Sequence, residues 1–203
     1  IGAHYGFHSL LASRLVGHQG RVHAFEPTQA TWNVLRENIR EADNIQAHNF
    51  AFWSSASTRL FWEHEAAYSA FNSFFDPRLS PSERAGIRAD KAIVATKTVD
   101  QFVQDQGVRP DLIKIDAESA ELEILKGMDR VIAEHRPMIT LEVGDKDIPG
   151  VCSTRDLIQY LCAKGYKPFE CRDGKIVGHL LRDHYPYDNL LFLPDVTTRA
   201  KTK

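Results

Sequence analysis

The sequence has 203 residues, of which 43% are hydrophobic and 26% charged, and its formal net charge is −2. This length suits one globular domain with a full core, and the near-neutral charge without a basic run argues against a nucleic-acid partner. No run approaches the roughly 18 apolar residues of a membrane span. The three cysteines (Cys152, Cys162 and Cys171) are widely spaced and lack the paired spacing of a zinc site. This pattern predicts buried thiols in a reducing compartment. We therefore expect a cytoplasmic protein, and a targeting segment ahead of Ile1 remains an open alternative.

Helix and strand patterns alternate from the first residues onward. Behind "GAHYG", apolar residues repeat at helical spacing as far as Gly17. "RVHAF" predicts a strand that ends at Glu26, and "TQATWNVLRENIREAD" predicts a helix capped by Thr28. "IQAHNFAFW" and "STRLFWE" each predict one strand. Residues 64–92 are irregular, and a stretch of this length indicates an insertion or lid.

Regular alternation resumes after the irregular stretch. "AIVATKTVDQFV" predicts a strand and a helix, "PDLIKID" a strand that ends in an acid, and "AESAELEILKGM" a helix with Ala120, Ile124, Leu125 and Met128 on its inner face. "RPMITLEVG" predicts a strand, "STRDLIQYLCAKG" a helix, and "YKPFEC" and "DNLLFLP" the closing strands.

Repeated β-α-β units with apolar strands indicate an α/β fold, with three α/β/α layers around a mostly parallel sheet. We expect one domain over residues 1–194, with the insertion or lid at about 64–92, and a polar tail over residues 195–203. Because the chain opens inside a glycine turn, we also expect that its first strand is truncated here.

The residues suited to chemistry stand where strands end, which is where open α/β sheets bind ligands. Gly2 and Gly6 precede the first helix, and Glu26 ends the next strand about 20 residues later, a position that suits a ribose. An adenosine-containing cofactor is therefore indicated. No register of the loop supplies the dinucleotide pattern G-x-G-x-x-G, which favours S-adenosylmethionine over NAD.

Two long stretches carry a family resemblance. "IGAHYGFHSLLASRLVGHQGRVHAFEPTQATWNVLRENI" resembles the opening of the FkbM-type methyltransferases, roughly D-[VI]-G-A-N-x-G and then a strand ending F-E-P. "TVDQFVQDQGVRPDLIKIDAESAELEILKGM" is similar to that family's second signature, in which D-L-I-K-I-D-[VI]-E-G precedes a helix. "RPMITLEVG" and "YDNLLFLP" fit its later strands. The resemblance covers about residues 1–145 and resumes near residue 185.

The resemblance implies a Rossmann-like class I methyltransferase that uses S-adenosylmethionine and methylates hydroxyls of sugars, glycans or natural products. It places the methionine end of the cofactor at the glycine loop, the ribose at Glu26, the adenine near Asn49 and the methyl group beside Asp116. The cofactor-binding residues that it implies are Gly2, Ala3, His4, Gly6, Glu26, Pro27, Asn49, Ala51 and Asp116. Candidates for the base that deprotonates the acceptor are Asp116, Glu118 and Glu142.

Three departures from the family pattern keep other functions open. His4 stands where the family has Asn, Ser119 where it has Gly, and the Asp expected before Ile1 is not in the sequence. A methyltransferase-like domain that binds without catalysis is therefore one alternative, and an NAD-dependent oxidoreductase is another. His4 and His8 lie one helical turn apart without a third metal ligand, so we expect no metal. Asn72 and Ser73 either close over a ligand or pack the insertion down.

Overall fold

The structure, a computed structural model, describes residues 1–75, 88–145 and 148–195 of the chain. These residues form six α-helices, ten β-strands and one 3-10 helix. In chain order the elements are α1 (Phe7–Val16), β1 (Val22–Phe25), α2 (Gln29–Asn38), β2 (Ile45–His48), β3 (Ala51–Phe52), β4 (Ser57–His64), the 3-10 helix (Ala66–Phe71), β5 (Ala89–Lys97), α3 (Val99–Gln106), β6 (Leu112–Ile115), α4 (Glu121–Lys126), α5 (Asp129–Glu134), β7 (Met138–Val143), α6 (Thr154–Ala163), β8 (Tyr166–Arg172), β9 (Lys175–Gly178) and β10 (Asp188–Pro194). The predicted α/β class is confirmed.

The strands pair in three groups. β1 lies beside β2, β5 lies between β3 and β4, and the largest group has the order β6-β7-β10-β8-β9. Pairing is parallel in β1–β2, β3–β5 and β6–β7, where helices or long segments connect the strands. Pairing is antiparallel in β4–β5 and in the pairs that β8, β9 and β10 make. β1 and β6, the strands that end just before Glu26 and Asp116, therefore each have a parallel neighbour.

The opening residues join the first two strands to the large sheet. The amides of Gly2 and Ala3 donate to the carbonyl oxygen of Phe25, at 3.1 and 2.9 Å, where β1 ends. The amide of Asp116 donates to the carbonyl oxygen of Ile1 at 3.3 Å, where β6 ends. The loop from Gly2 to Gly6 therefore lies between two strand ends, the position at which α/β sheets bind ligands.

The main hydrophobic core packs around β6 and β7. Ile115, Ile139 and Leu141 of these strands have no exposed surface. The face of α4 predicted to be internal is buried, with Ala120, Ile124, Leu125 and Met128 at most 1% exposed. Burial of these apolar side chains supplies most of the free energy that holds the sheet edge in place. No helix in the described ranges has the length and apolar character needed to cross a membrane.

Two strand predictions need correction. The segment "IQAHNFAFW" forms two short strands, β2 and β3, because the chain leaves β1 after His48 and pairs with β5 from Ala51 onward. The strand β9 was not predicted. It pairs with β8 across the two-residue turn Asp173–Gly174, in which both residues have positive φ angles of 51° and 72°. Such Asp-Gly turns are a sequence signal for a hairpin.

The irregular stretch predicted at 64–92 is in part regular. Its beginning forms the 3-10 helix (Ala66–Phe71), and its end belongs to β5, which starts at Ala89. The prediction of an insertion or lid also covers residues 76–87, which lie outside the described residues. The predicted tail lies outside them from residue 196 onward.

Candidate active site

The loop before α1 approaches the end of β6 so closely that its second residue has to be glycine. Gly2 has a φ of +74°, and a Cβ built on it would lie 1.7 Å from the carbonyl oxygen of Asp116. Real Cβ atoms essentially never come within 3.0 Å of such an atom. The missing side chain therefore allows the glycine loop and Asp116 to meet at one edge of the sheet.

Glu26, directly after β1, is held by three hydrogen bonds and is only 5% exposed. Its Oε2 accepts the amide of His4 at 3.0 Å. Its Oε1 accepts the amide and the hydroxyl of Thr28, at 3.3 and 3.1 Å. Thr28 occupies the predicted cap position of α2, but its side chain binds Glu26 instead of capping the helix. Burial raises the pKa of Glu26 above its ordinary value, and these hydrogen bonds offset only part of the effect.

Asp116, directly after β6, is an ion-paired carboxylate. Its Oδ2 lies 2.5 Å from Nζ of Lys114. Burial raises the pKa of Asp116, but the hydrogen bond and charge of Lys114, together with a hydrogen bond to Glu142, outweigh burial and hold the pKa below its ordinary value. Asp116 is therefore ionised at neutral pH and is a weak base.

Glu142 links Asp116 to an aromatic residue at the rim of the site. It lies in β7 and is 5% exposed. The hydroxyl of Tyr187, in the segment before β10, hydrogen-bonds the carboxylate of Glu142, and the charge of Glu142 is the main cause that raises the pKa of Tyr187. Hydrogen bonds thus connect Lys114, Asp116, Glu142 and Tyr187 in series from β6 to the rim.

The three predicted candidates for the base are brought together. One carboxylate oxygen from each of Asp116, Glu118 and Glu142 lies within 4.8 Å of the others. A group of this kind could hold a cation, yet Asp116 already has the ammonium of Lys114 as its positive partner. The geometry therefore identifies an acidic wall and by itself assigns no metal.

The turn between Asp116 and α4 has left-handed backbone. Glu118 and Ser119 have φ angles of +44° and +80°. Oε1 of Glu121, the first residue of α4, accepts the amides of Ala117 and Ser119 at 3.1 and 3.2 Å. The glycine of the family pattern would adopt the φ of Ser119 without strain, whereas a serine in this conformation destabilises the fold by about 1 kcal/mol. Glu121 therefore helps to hold Ser119 in the conformation that a glycine would take.

His4 also adopts a left-handed conformation, with a φ of +48°. The family pattern has Asn here, and Asn is the residue besides Gly that visits this region most readily. The ring of His4 turns toward the 3-10 helix, where its Nε2 lies 2.8 Å from Oγ of Ser69. Withdrawal from water lowers the pKa of His4, and the charge of Asp116 raises it less. His4 and Ser119 thus both have left-handed backbone, the conformation that Asn and Gly adopt more readily than other residues.

The 3-10 helix and the residues after it are fastened to both loops of the site. Oγ of Ser69 lies 2.9 Å from the hydroxyl of Tyr5 as well as near His4. Oγ of Ser73 donates to the carbonyl oxygen of Glu118 at 2.6 Å. The segment 66–73 is therefore tied to the glycine loop at one end and to the acidic turn at the other.

Together these elements surround a cavity of about 530 Å³, which is within the usual range of small-molecule sites. One part of its wall is aromatic: Phe25, Phe50, Phe52, Phe61 and Phe74. The polar side chains that line it are His4, Tyr5, His8, Glu26, Ser69, Asn72, Asp116, Glu118, Glu142 and Tyr187. An apolar section beside a polar section is the arrangement that binds and orients a small ligand.

Most of the predicted site residues line this cavity. They are Gly2, Ala3, His4, Glu26, Pro27, Ala51, Asp116, Glu118 and Glu142. Gly6 instead packs α1 onto α2, since a Cβ there would lie 2.8 Å from Cδ1 of Leu35. Asn49 lies outside the wall, and its amide donates to the carbonyl oxygens of Glu26 and Pro27, both at 3.0 Å. It supports the backbone behind Glu26.

Sequence reasoning missed His8, Tyr187 and the aromatic wall. Tyr187 falls in a stretch without helical or strand periodicity, and only the "YDN" of the family pattern could have indicated it. His8 was considered only as a metal ligand. Asn72, for which two roles were open, lines the cavity, while its Oδ1 accepts the amide of His64 at 2.7 Å.

The fold is that of the class I methyltransferases. Residues 1–168 match the family model described as "Methyltransferase FkbM domain", and the chain belongs to the FkbM methyltransferase family. A comparison with curated proteins found no match.

Three solved structures resemble the fold. The FkbM methyltransferase of Methylobacillus flagellatus KT aligns with a TM-score of 0.55 at 20% identity, over 95% of this chain and 41% of that one. The precorrin-6y C5,15-methyltransferase of Geobacter metallireducens GS-15 aligns with a TM-score of 0.50 at 16% identity, over 95% and 76%. A proposed O-methyltransferase of Klebsiella pneumoniae aligns with a TM-score of 0.52 at 14% identity, over 96% and 71%. The chain thus spans less than half of the Methylobacillus protein.

Proposed function

We propose that the protein is an S-adenosylmethionine-dependent methyltransferase that methylates a hydroxyl group of a sugar, glycan or natural product. The observation that carries this proposal is the meeting of the glycine loop, Glu26 and Asp116 at one cavity. Membership of the FkbM family supports the transfer of a methyl group. The choice of S-adenosylmethionine as the cofactor and of an oxygen atom as the methyl acceptor is supported by the residues that line the cavity.

The residues present suit this cofactor. The phenylalanine wall offers apolar surface for a purine ring, next to Ala51. Glu26 has about four lone-pair positions, of which three accept His4 and Thr28. It therefore accepts one ribose hydroxyl directly, and a second one has to replace the hydroxyl of Thr28. Gly2, Ala3 and His4 then face the methionine portion.

When bound, the cofactor supplies a methyl group on a positively charged sulfur. The protein has to hold the acceptor hydroxyl at near-attack distance and remove its proton. The acidic wall of Asp116, Glu118 and Glu142 accepts hydrogen bonds from hydroxyl groups and repels anions. These side chains, with Tyr187 beside them, favour an uncharged polyhydroxylated acceptor.

The two alternatives from the sequence have less support. Binding without catalysis was suggested by His4 and Ser119, but both residues have left-handed backbone, which the Asn and Gly of the family pattern adopt readily. An NAD-dependent reaction still lacks the glycine pattern for a pyrophosphate. Cofactor titration and turnover measurements distinguish these functions from methyl transfer.

The test is calorimetric titration with S-adenosylhomocysteine of the wild type, of Glu26→Gln and of Glu170→Gln. Glu170 is a matched control because it is also 5% exposed and lies in β8, away from the cavity. Loss of a hydrogen bond to a charged acceptor costs about 1.5–3 kcal/mol, so Glu26→Gln should weaken binding roughly 10- to 150-fold. Glu170→Gln should bind like the wild type. A folded wild type without measurable affinity would refute the proposal, and equal affinity in Glu26→Gln would refute the role of Glu26.

A further inference from the structure

Two of the three candidate carboxylates in the cavity, Asp116 and Glu142, are already engaged by other side chains. Asp116 is ion-paired with Lys114 at 2.5 Å and also hydrogen-bonded to Glu142. Glu142 in turn holds the hydroxyl of Tyr187. The hydrogen bonds that Asp116 accepts from Lys114 and Glu142 stabilise its ionised form and so weaken it as a base.

Two imidazoles also line the cavity, and their surroundings differ. The ring of His4 is engaged with Ser69 at 2.8 Å. His8 lies in the first turn of α1 and lines the cavity next to Phe7, whose ring centroid is 5.3 Å from its own. Within the described ranges its ring nitrogens make no hydrogen bond. His8 therefore lines the cavity with an imidazole that no hydrogen bond within these ranges engages, and such a ring can accept a proton from a ligand.

We propose that His8 is the general base that removes the proton from the acceptor hydroxyl. This inference rests on the proposed function, because it takes methyl transfer to oxygen as the reaction. The hydroxyl O–H bond breaks as a ring nitrogen of His8 binds the proton. The electron pair left on oxygen forms the new bond to the methyl carbon, and the electrons of the S–C bond go to sulfur, which becomes a neutral thioether. The exposed imidazolium then releases its proton to water.

The charges around His8 keep its imidazole neutral at pH 7. Partial withdrawal from water lowers the pKa of His8, as does the ammonium of Lys114, while the carboxylate of Asp116 raises it. The first turn of a helix also disfavours a positive charge. An imidazole that is neutral at the working pH can act as a general base.

The experiment is an NMR titration of the histidine ring signals of the protein saturated with S-adenosylmethionine and, separately, with S-adenosylhomocysteine. The two ligands differ by one methyl group and one positive charge at sulfur. A base beside the reacting centre should therefore have a pKa lower by about 0.5–1 in the S-adenosylmethionine complex. His8→Gln assigns the signal, and His18, in the segment that follows α1, is the control, whose ring signals should not differ between the two complexes.

The outcomes separate this inference from the proposed function. A lower pKa of His8 with S-adenosylmethionine, and no difference at His18, supports His8 as the base. Equal pKa values of His8 in the two complexes would overturn the assignment while leaving the cofactor proposal intact. If neither ligand shifts any signal or binds by calorimetry, the proposed function fails, and the assignment fails with it.

Discussion

Replacement of Gly2 by alanine should be the most damaging single methyl addition in the glycine loop. An alanine Cβ at this position would lie 1.7 Å from the carbonyl oxygen of Asp116, which is 1.3 Å short of the 3.0 Å that real Cβ contacts respect. The loop or the end of β6 therefore has to move. A left-handed alanine costs about 1–2 kcal/mol, and forced displacement of packed backbone adds about 1–3 kcal/mol. We expect Gly2→Ala to lower the free energy of unfolding by about 2–5 kcal/mol.

Gly174→Ala is the matched control for this prediction. Gly174 has a φ of +72°, nearly that of Gly2, but a Cβ there meets no atom within 4 Å. Gly174→Ala should therefore lower the free energy of unfolding only by the cost of a left-handed alanine, about 1–2 kcal/mol. Urea unfolding with comparison of m-values measures both losses, and titration with S-adenosylhomocysteine should show weakened binding only in Gly2→Ala. Equal losses of stability in the two variants would refute the close contact between Gly2 and Asp116.

Two further substitutions test the strain and the acid sensitivity of the fold. Ser119→Gly should raise the free energy of unfolding by about 1 kcal/mol, because Ser119 has a φ of +80°; a loss in urea unfolding would contradict this. Burial lowers the pKa of His48 to about 4 from 6.5, so the wild type should lose stability as pH falls from 6.5 toward 4. Solvent screening of the half-buried ring reduces this loss to about 1 kcal/mol. The rings of His48 and Phe25 stack with their centroids 4.8 Å apart, and a phenylalanine at position 48 can keep this contact. The free energy of unfolding of His48→Phe should therefore depend less on pH than that of the wild type. An unchanged pH dependence would contradict the role given to His48.

The pattern of the sequence was sufficient for the class of fold and for most of the elements. Two features are local: the helical spacing of apolar residues, and the apolar strands that end in Glu26 or Asp116. They can therefore be predicted without knowing which distant segments pack against them. The inner face of α4 was predicted for this reason. The β2–β3 break was not, because it depends on which strand pairs with residues 51–52, a long-range contact.

The same division applies to the candidate site. Open α/β sheets bind ligands at the carboxyl ends of their strands, and this rule located Gly2, Glu26 and Asp116, since those ends meet at one edge of a sheet. It could not distinguish Asn49, which supports backbone, from Ala51, which lines the cavity. Side-chain orientation at such positions is decided by packing against distant segments.

The sequence by itself determined that this chain forms an α/β fold with a ligand loop and two acids at its strand ends, because periodicity and motif spacing encode local conformation. Only the tertiary structure decided that Tyr187 and His8 join those acids in one cavity and that Ser69 and Ser73 fasten the segment after β4 to it. These contacts join residues far apart in the chain, and their formation depends on how the whole sheet and its helices pack.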